Sequence, residues 1–179
     1  RGGSEVGQGQ PENLGADLRI DYRSTPATTL VAVDGDLRGG EFLMGNTYVS
    51  LPATPTGIRI DGVRRGEGGW ELPRVEWRDQ GVLQARAALR FDAAGALQSL
   101  EATASSADMT PLKPRYLSGW MGLFGLGEVD LHGAMDMDVR VGPGGELQAL
   151  HARLHGVDLR DPGERFVFSG LDGDLRFSA

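Results

Sequence analysis

Apolar and polar residues alternate with a period of two along most of this chain, which is the signature of β-strands with one face turned away from water. In "LQARAALRF", Leu83, Ala85, Ala87, Leu89 and Phe91 point one way, and Gln84, Arg86 and Arg90 the other. In "VDLHGAMDMDVRV", Val129, Leu131, Met135, Met137, Val139 and Val141 alternate with Asp130, His132, Asp136, Asp138 and Arg140. The C-terminal "LDGDLRF" sets Leu171, Leu175 and Phe177 against Asp172, Asp174 and Arg176. Further strands are predicted over 18–22, 29–37, 41–51, 57–64, 70–77, 97–107, 147–157 and 165–168. The fold class is all-β: an antiparallel meander with one apolar face.

One stretch has helical spacing. In "TPLKPRYLSGWMGLFGLG", Tyr116, Leu117, Trp120, Met121 and Phe124 share a helix face. Pro111 suits an early helical position, and Pro114, Gly119 and Gly122 keep the helix short. An apolar sheet face needs a cover, and one short helix is too little for so many strands. Two arrangements answer this: the strands fold back into a closed β-sandwich, or the sheet curls into a groove lined by apolar side chains.

The pentapeptide Asp-Gly-Asp-Leu-Arg occurs at 34–38 and again at 172–176. A longer repeat stands beside it. Residues 89–109 align without gaps on 139–159, with seven identities in 21 positions at an offset of 50. The pairs are 90/140, 95/145, 97/147, 98/148, 100/150, 102/152 and 108/158. Each unit reads as strand, Gly-containing turn and returning strand that ends on an acid, so the doubled pentapeptide belongs to repeated architecture.

At 179 residues the chain is one domain or a segment of a longer protein. Residues 1–15, all but two of them Gly, Pro, polar or charged, read as a flexible lead-in, and 16–179 as a single β-rich domain. With no cysteine, disulfides and thiolate metal sites are excluded. A net charge of −7 argues against nucleic acid, whose phosphates call for clustered Lys and Arg. The 28 glycines lie between short alternating runs and mark tight turns.

Candidate chemistry is sparse. Neither copy of the acidic pentapeptide supplies the further oxygen ligands and the twelfth-position Glu of an EF-hand. Asp136 and Asp138 alternate with Met135, Met137 and Val139, so they face water and do not form a buried acid pair. His151 and His155, four apart on a strand, stand ~13 Å apart and cannot share a metal; His132 has no partner at ligand spacing. No Gly-x-Ser-x-Gly elbow or phosphate loop occurs. Trp70 and Trp77 have opposite strand parity, which disfavours a flat sugar-binding platform. No catalytic residue, metal or cofactor is expected.

The C-terminal two-thirds carries a resemblance. An acid and a Pro-Leu helix (108–124) precede the "LHG" strand at 131–133, then the "GGELQAL" turn at 144–150, then "GLDGDLRF" at 170–177. In this order the segment resembles the AsmA-like proteins, especially their YdbH and YhdP branch. The resemblance covers roughly residues 80–179. It implies a long curled sheet, a repeating taco-like β-groove, with one short helix. It also implies phospholipid transport between inner and outer membranes, a periplasmic location and an inner-membrane anchor outside this chain. That family has no catalytic residues; inward-facing strand residues would contact acyl chains. Here those are Leu83, Leu89, Phe91, Val129, Leu131, Met135, Met137, Val139, Leu150, Leu154, Phe166, Phe168, Leu175 and Phe177. An acidic outer face would keep such a sheet soluble and blunt edge pairing. The alternative is an envelope scaffold, a closed sandwich that binds other envelope proteins, as a secretion-system assembly factor would. A carbohydrate-active β-protein is the third class.

Overall fold

The computed structural model describes residues 14–44, 47–123, 125–163 and 165–179. The chain begins with β1 (Gly15–Ser24) and β2 (Thr28–Arg38), then a small hairpin of β3 (Glu41–Met44) and β4 (Thr47–Ser50). Next come β5 (Thr56–Arg65), β6 (Trp70–Asp79), β7 (Leu83–Phe91) and β8 (Leu97–Ser106). One turn of π-helix (Lys113–Leu117) leads into α1 (Ser118–Leu123), and β9 (Asp130–Val141), β10 (Leu147–Arg160) and β11 (Val167–Ser178) complete the chain. The predicted lead-in lies outside the described residues up to 13, and the Trp120 side chain and Phe124 lie outside them too.

Nine strands make one antiparallel sheet in the order β1-β2-β5-β6-β7-β8-β9-β10-β11, and β3-β4 is a separate two-stranded sheet. The all-β meander is as the alternation predicts. The large sheet is open and does not close into a barrel, and no second large sheet lies over it among the described residues. The predicted strand over 41–51 is corrected: it is the β3-β4 hairpin, with Met44 paired to Thr47. The pieces at 165–168 and 171–177 merge into β11, because Gly170 (φ +63°) lets the strand continue through a bulge. The two repeat units are equivalent hairpins: Leu89 faces Leu100, and Val139 faces Leu150.

The long connections gather at one end of the sheet. The β3-β4 hairpin, the β6-β7 turn, the helical segment and the β10-β11 loop all leave from that end. There they bury Val49, Leu51, Val82, Met109, Leu112, Tyr116, Leu131 and Val157 against Trp77, Leu83, Met135 and Leu154 of the sheet. The opposite end has only short turns.

The cap is anchored by a polar cluster. Arg115 Nη1 donates to both carboxylate oxygens of Asp79 at 2.7 Å, and Tyr116 Oη donates to Asp79 Oδ2 at 2.9 Å. Trp77 Nε1 donates to Tyr116 Oη at 2.9 Å, and the two rings meet edge-on with centroids 6.3 Å apart. Asp79 is only 2% exposed. Burial raises the Tyr116 hydroxyl well above its ordinary pKa, so it remains a donor to Asp79.

In the β10-β11 loop, buried Asp161 accepts from Arg165 Nε at 2.9 Å and Nη2 at 2.7 Å. These bonds hold its carboxyl down to about 2. A depressed carboxylate pKa stabilises the fold at pH above the unfolded value, near 3.9, and that contribution fades as pH falls towards 2. Chemical denaturation at a series of pH values is expected to show wild type more stable than Arg165→Ala at neutral pH. The gap should close between about pH 4 and pH 2; a gap that stays constant would dismiss this role for Asp161.

The doubled pentapeptide occupies two different environments. A Cβ on Gly35 would lie 2.1 Å from the Asp17 carbonyl oxygen, at φ +155°, whereas a Cβ on Gly173 meets nothing within 4 Å. Gly35→Ala is therefore expected to cost about 2 kcal/mol or more. Gly173→Ala should be neutral or stabilising by about 0.5 kcal/mol, because Gly in a strand interior loses entropy. Thermal unfolding of the pair checks this, and equal effects would refute the distinction.

Candidate functional site: an uncovered apolar sheet face

Strand register sorts every side chain of the sheet onto one of two faces. One cross-strand row reads Ile20, Val33, Ile60, Val75, Ala87, Ala102, Val139, Leu150 and Phe177, crossing all nine strands without a polar residue. The neighbouring row towards the cap reads Leu18, Gly35, Ile58, Trp77, Ala85, Ala104, Met137, Ala152 and Leu175. On the other side, Leu72, Leu89, Leu100, Val141 and Leu147 pair in sequence. Eight interstrand steps of roughly 4.8 Å make the face about 38 Å wide.

The two tryptophans are a correction to the parity argument. Pairing of β6 shifts between Leu72 and Val75, so β6 carries one extra residue opposite β7 there. This bulge holds Pro73, the kind of position that tolerates a strand proline. It returns Trp70 and Leu72 to the face of Val75 and Trp77: a Cβ on Gly62, which shares that face, would approach Leu72 Cδ2 at 3.0 Å and Trp70 at 3.5 Å. Trp77 packs on Tyr116, and Arg64 lies over Trp70 with its guanidinium carbon 5.9 Å from the ring centre.

The expected lining residues divide by their distance from the cap. Val129 and Leu131 are buried, and Leu83, Met135 and Leu154 pack against the buried cluster. Phe166 and Phe168 stack at 5.8 Å at the β10-β11 loop. Leu89, Phe91, Met137, Val139, Leu150, Leu175 and Phe177 belong to the sheet beyond the cap. The outer strands are the barest: Ile20 is 63%, Tyr22 65%, Leu175 60% and Phe177 46% exposed.

The opposite face carries mixed charge, not the acidic surface expected. One row reads Arg19, Asp34, Arg59, Glu76, Arg86, Thr103, Asp138, His151 and Arg176. Most of its ion pairs are long, such as Arg86–Glu76 at 3.7 Å and Arg153–Asp138 at 3.4 Å, and contribute little each. His155 reaches Asp136 at 3.2 Å, and the His151 bond holds the Asp174 carboxyl below its ordinary pKa. An open concavity of about 610 Å³ on this face lies among Glu101, Asp138, Arg140, His151 and Arg176.

The acids of the repeat serve the backbone. Asp172 Oδ1 accepts the Gly156 N–H at 2.8 Å, Asp158 Oδ1 the Gly170 N–H at 2.7 Å, and Asp108 Oδ1 the Thr110 N–H at 2.9 Å. Gly156 and Gly170 sit where the β10-β11 register shifts, so these carboxylates satisfy amides that the ladder leaves free. Among the described residues, no three His, Asp or Glu side chains converge as metal ligands, and no helix is long and apolar enough to cross a membrane.

The fold and face together define a one-layer antiparallel sheet, amphipathic across its full width and capped at one end. Comparison with protein-family models, curated proteins and solved structures finds no match for this chain.

Proposed function

We propose that the uncovered apolar face holds phospholipid acyl chains, and that the chain is a non-enzymatic section of an AsmA-like lipid-bridging protein of the Gram-negative periplasm. In that protein the sheet curls into a groove, and an anchor outside this chain contacts the inner membrane. The row from Ile20 to Phe177 carries the reading: nine apolar positions in succession with no hydrogen-bonding side chain. Acyl chains need contact area and no directional partner. Each Å² of apolar surface they cover is worth roughly 25 cal/mol. A single leaflet's chains span about 15 Å, half of a bilayer core of roughly 30 Å, so the face has room for two end to end. Met137 suits ligands of varied shape, since its thioether repacks readily.

Organic extraction of the purified, folded protein followed by lipid mass spectrometry tests this. About one phospholipid or more per chain is the expected result. A clean extract from a folded sample would overturn it in favour of a protein cover, as in an envelope scaffold.

A further inference from the structure

The outer edge of β1 is complementary to itself. Every residue of Gly15–Ser24 is exposed, and among the described residues β1 pairs on one side only, with β2. Its central heptad is Asp17-Leu18-Arg19-Ile20-Asp21-Tyr22-Arg23. Laid antiparallel on a second copy about a two-fold axis through Ile20, Asp17 meets Arg23, Leu18 meets Tyr22 and Arg19 meets Asp21. All four polar positions then face an opposite charge and all three apolar positions an apolar residue. We propose that the protein forms a two-fold dimer through antiparallel pairing of β1 with β1 of a second copy. The two sheets become one, with their apolar faces on the same side.

The register is singular. A centre on Arg19 or Asp21 sets like charges against each other at the axis and on both sides of it. A centre on Leu18 keeps only the Asp17–Arg19 contacts, and one on Tyr22 only the Asp21–Arg23 contacts. Cross-strand pairs of opposite charge stabilise a sheet and like charges destabilise it, so the Ile20 centre is selected. Topology restricts the choice of edge as well. With an odd number of alternating strands, β1 and β11 run in the same direction. A copy whose apolar face stays on the same side can therefore add antiparallel only β1 to β1 or β11 to β11. Around Leu175, β11 offers just the Asp174–Arg176 contacts and then sets Gly173 against Phe177, a poorer match. Charged residues commonly protect edge strands from association; here their order invites one partner.

Sedimentation of the 179-residue protein over concentrations up to roughly 100 µM, a range that registers even weak association, should give twice the 19.1 kDa chain mass. Arg19→Asp and Asp21→Arg should each weaken the dimer at least about tenfold, since each turns two symmetry-related attractions into repulsions. The double variant Arg19→Asp/Asp21→Arg should recover it. An equimolar mixture of the two single variants should form the heterodimer, because each then supplies the charge the other lacks. Circular dichroism should confirm that every variant is folded. A wild type that stays monomeric, or a dimer indifferent to the single substitutions, would overturn the proposal. So would failure of both the double variant and the mixture to associate.

Discussion

Asp79→Ala is expected to destabilise the protein by about 3 kcal/mol, the low end of the range for breaking a buried ion pair. The substitution removes a carboxylate that accepts three hydrogen bonds from Arg115 and Tyr116. Arg115 would be left as a cation with no anion in a largely buried setting. Its side chain is 24% exposed, against 2% for Asp79, and that route to water keeps the cost at the low end. Tyr116→Phe should cost less, about 1–2 kcal/mol, because it removes one acceptor for Trp77 Nε1 and one donor to Asp79 and leaves the ion pair standing. Urea denaturation followed by tryptophan fluorescence reads both. A loss under about 0.5 kcal/mol for Asp79→Ala, the range of ordinary surface substitutions, would mean that the cluster does not anchor the cap.

The second large effect separates the capped from the uncovered part of the same face. Leu131 is buried beneath the cap, so Leu131→Asp places an unpaired carboxylate in the core and should cost about 4 kcal/mol or more. Met137 stands on the uncovered part, between Ala104 and Ala152. Its side chain is half-buried among its strand neighbours and not enclosed by the cap, so Met137→Asp should fold at a cost of about 1 kcal/mol. The same carboxylate would be desolvated by an acyl chain laid over it, and lipid retained through purification should fall at least about tenfold. Lipid mass spectrometry on both folded variants provides the check. Undiminished lipid on folded Met137→Asp would remove the uncovered face from the binding site.

Much of this architecture is legible in the sequence because period two is a local property. The runs from Leu83 to Phe91 and from Asp130 to Val141 are strands where the alternation places them. Local pattern fails where one residue breaks the phase. The bulge around Pro73 puts Trp70 and Trp77 on one face although seven positions separate them. A proline inside an apparent strand was the available signal. The β3-β4 hairpin was concealed in a run read as a single strand, although consecutive apolar residues at Phe42 and Leu43 and the Gly45-Asn46 dipeptide depart from alternation. The Asp79 cluster had no local signal. An acid in "WRDQG" reads as an ordinary turn residue, and its burial depends on Arg115 and Tyr116, which arrive 36 and 37 positions later. The mixed charge of the polar face was present in the composition, but its row-by-row alternation exists only once register is known.

Every strand of the large sheet is bonded to the strand beside it in the sheet order, and that order never departs from the order of the chain. Such a meander has the energetics of a one-dimensional array, in which stability is approximately a sum of nearest-neighbour terms and unfolding peels inward from either edge. The cap changes that behaviour. Its hairpin is inserted between β2 and β5, its helical turn between β8 and β9, and it closes on β6 through Trp77 and Asp79. Strands that never touch one another thereby share one packed cluster. The cap ties the sheet from β2 to β11 into a cooperative unit, through Leu37 at one side and Leu171 at the other, while β1, which adds no residue to that cluster, is left as the labile end.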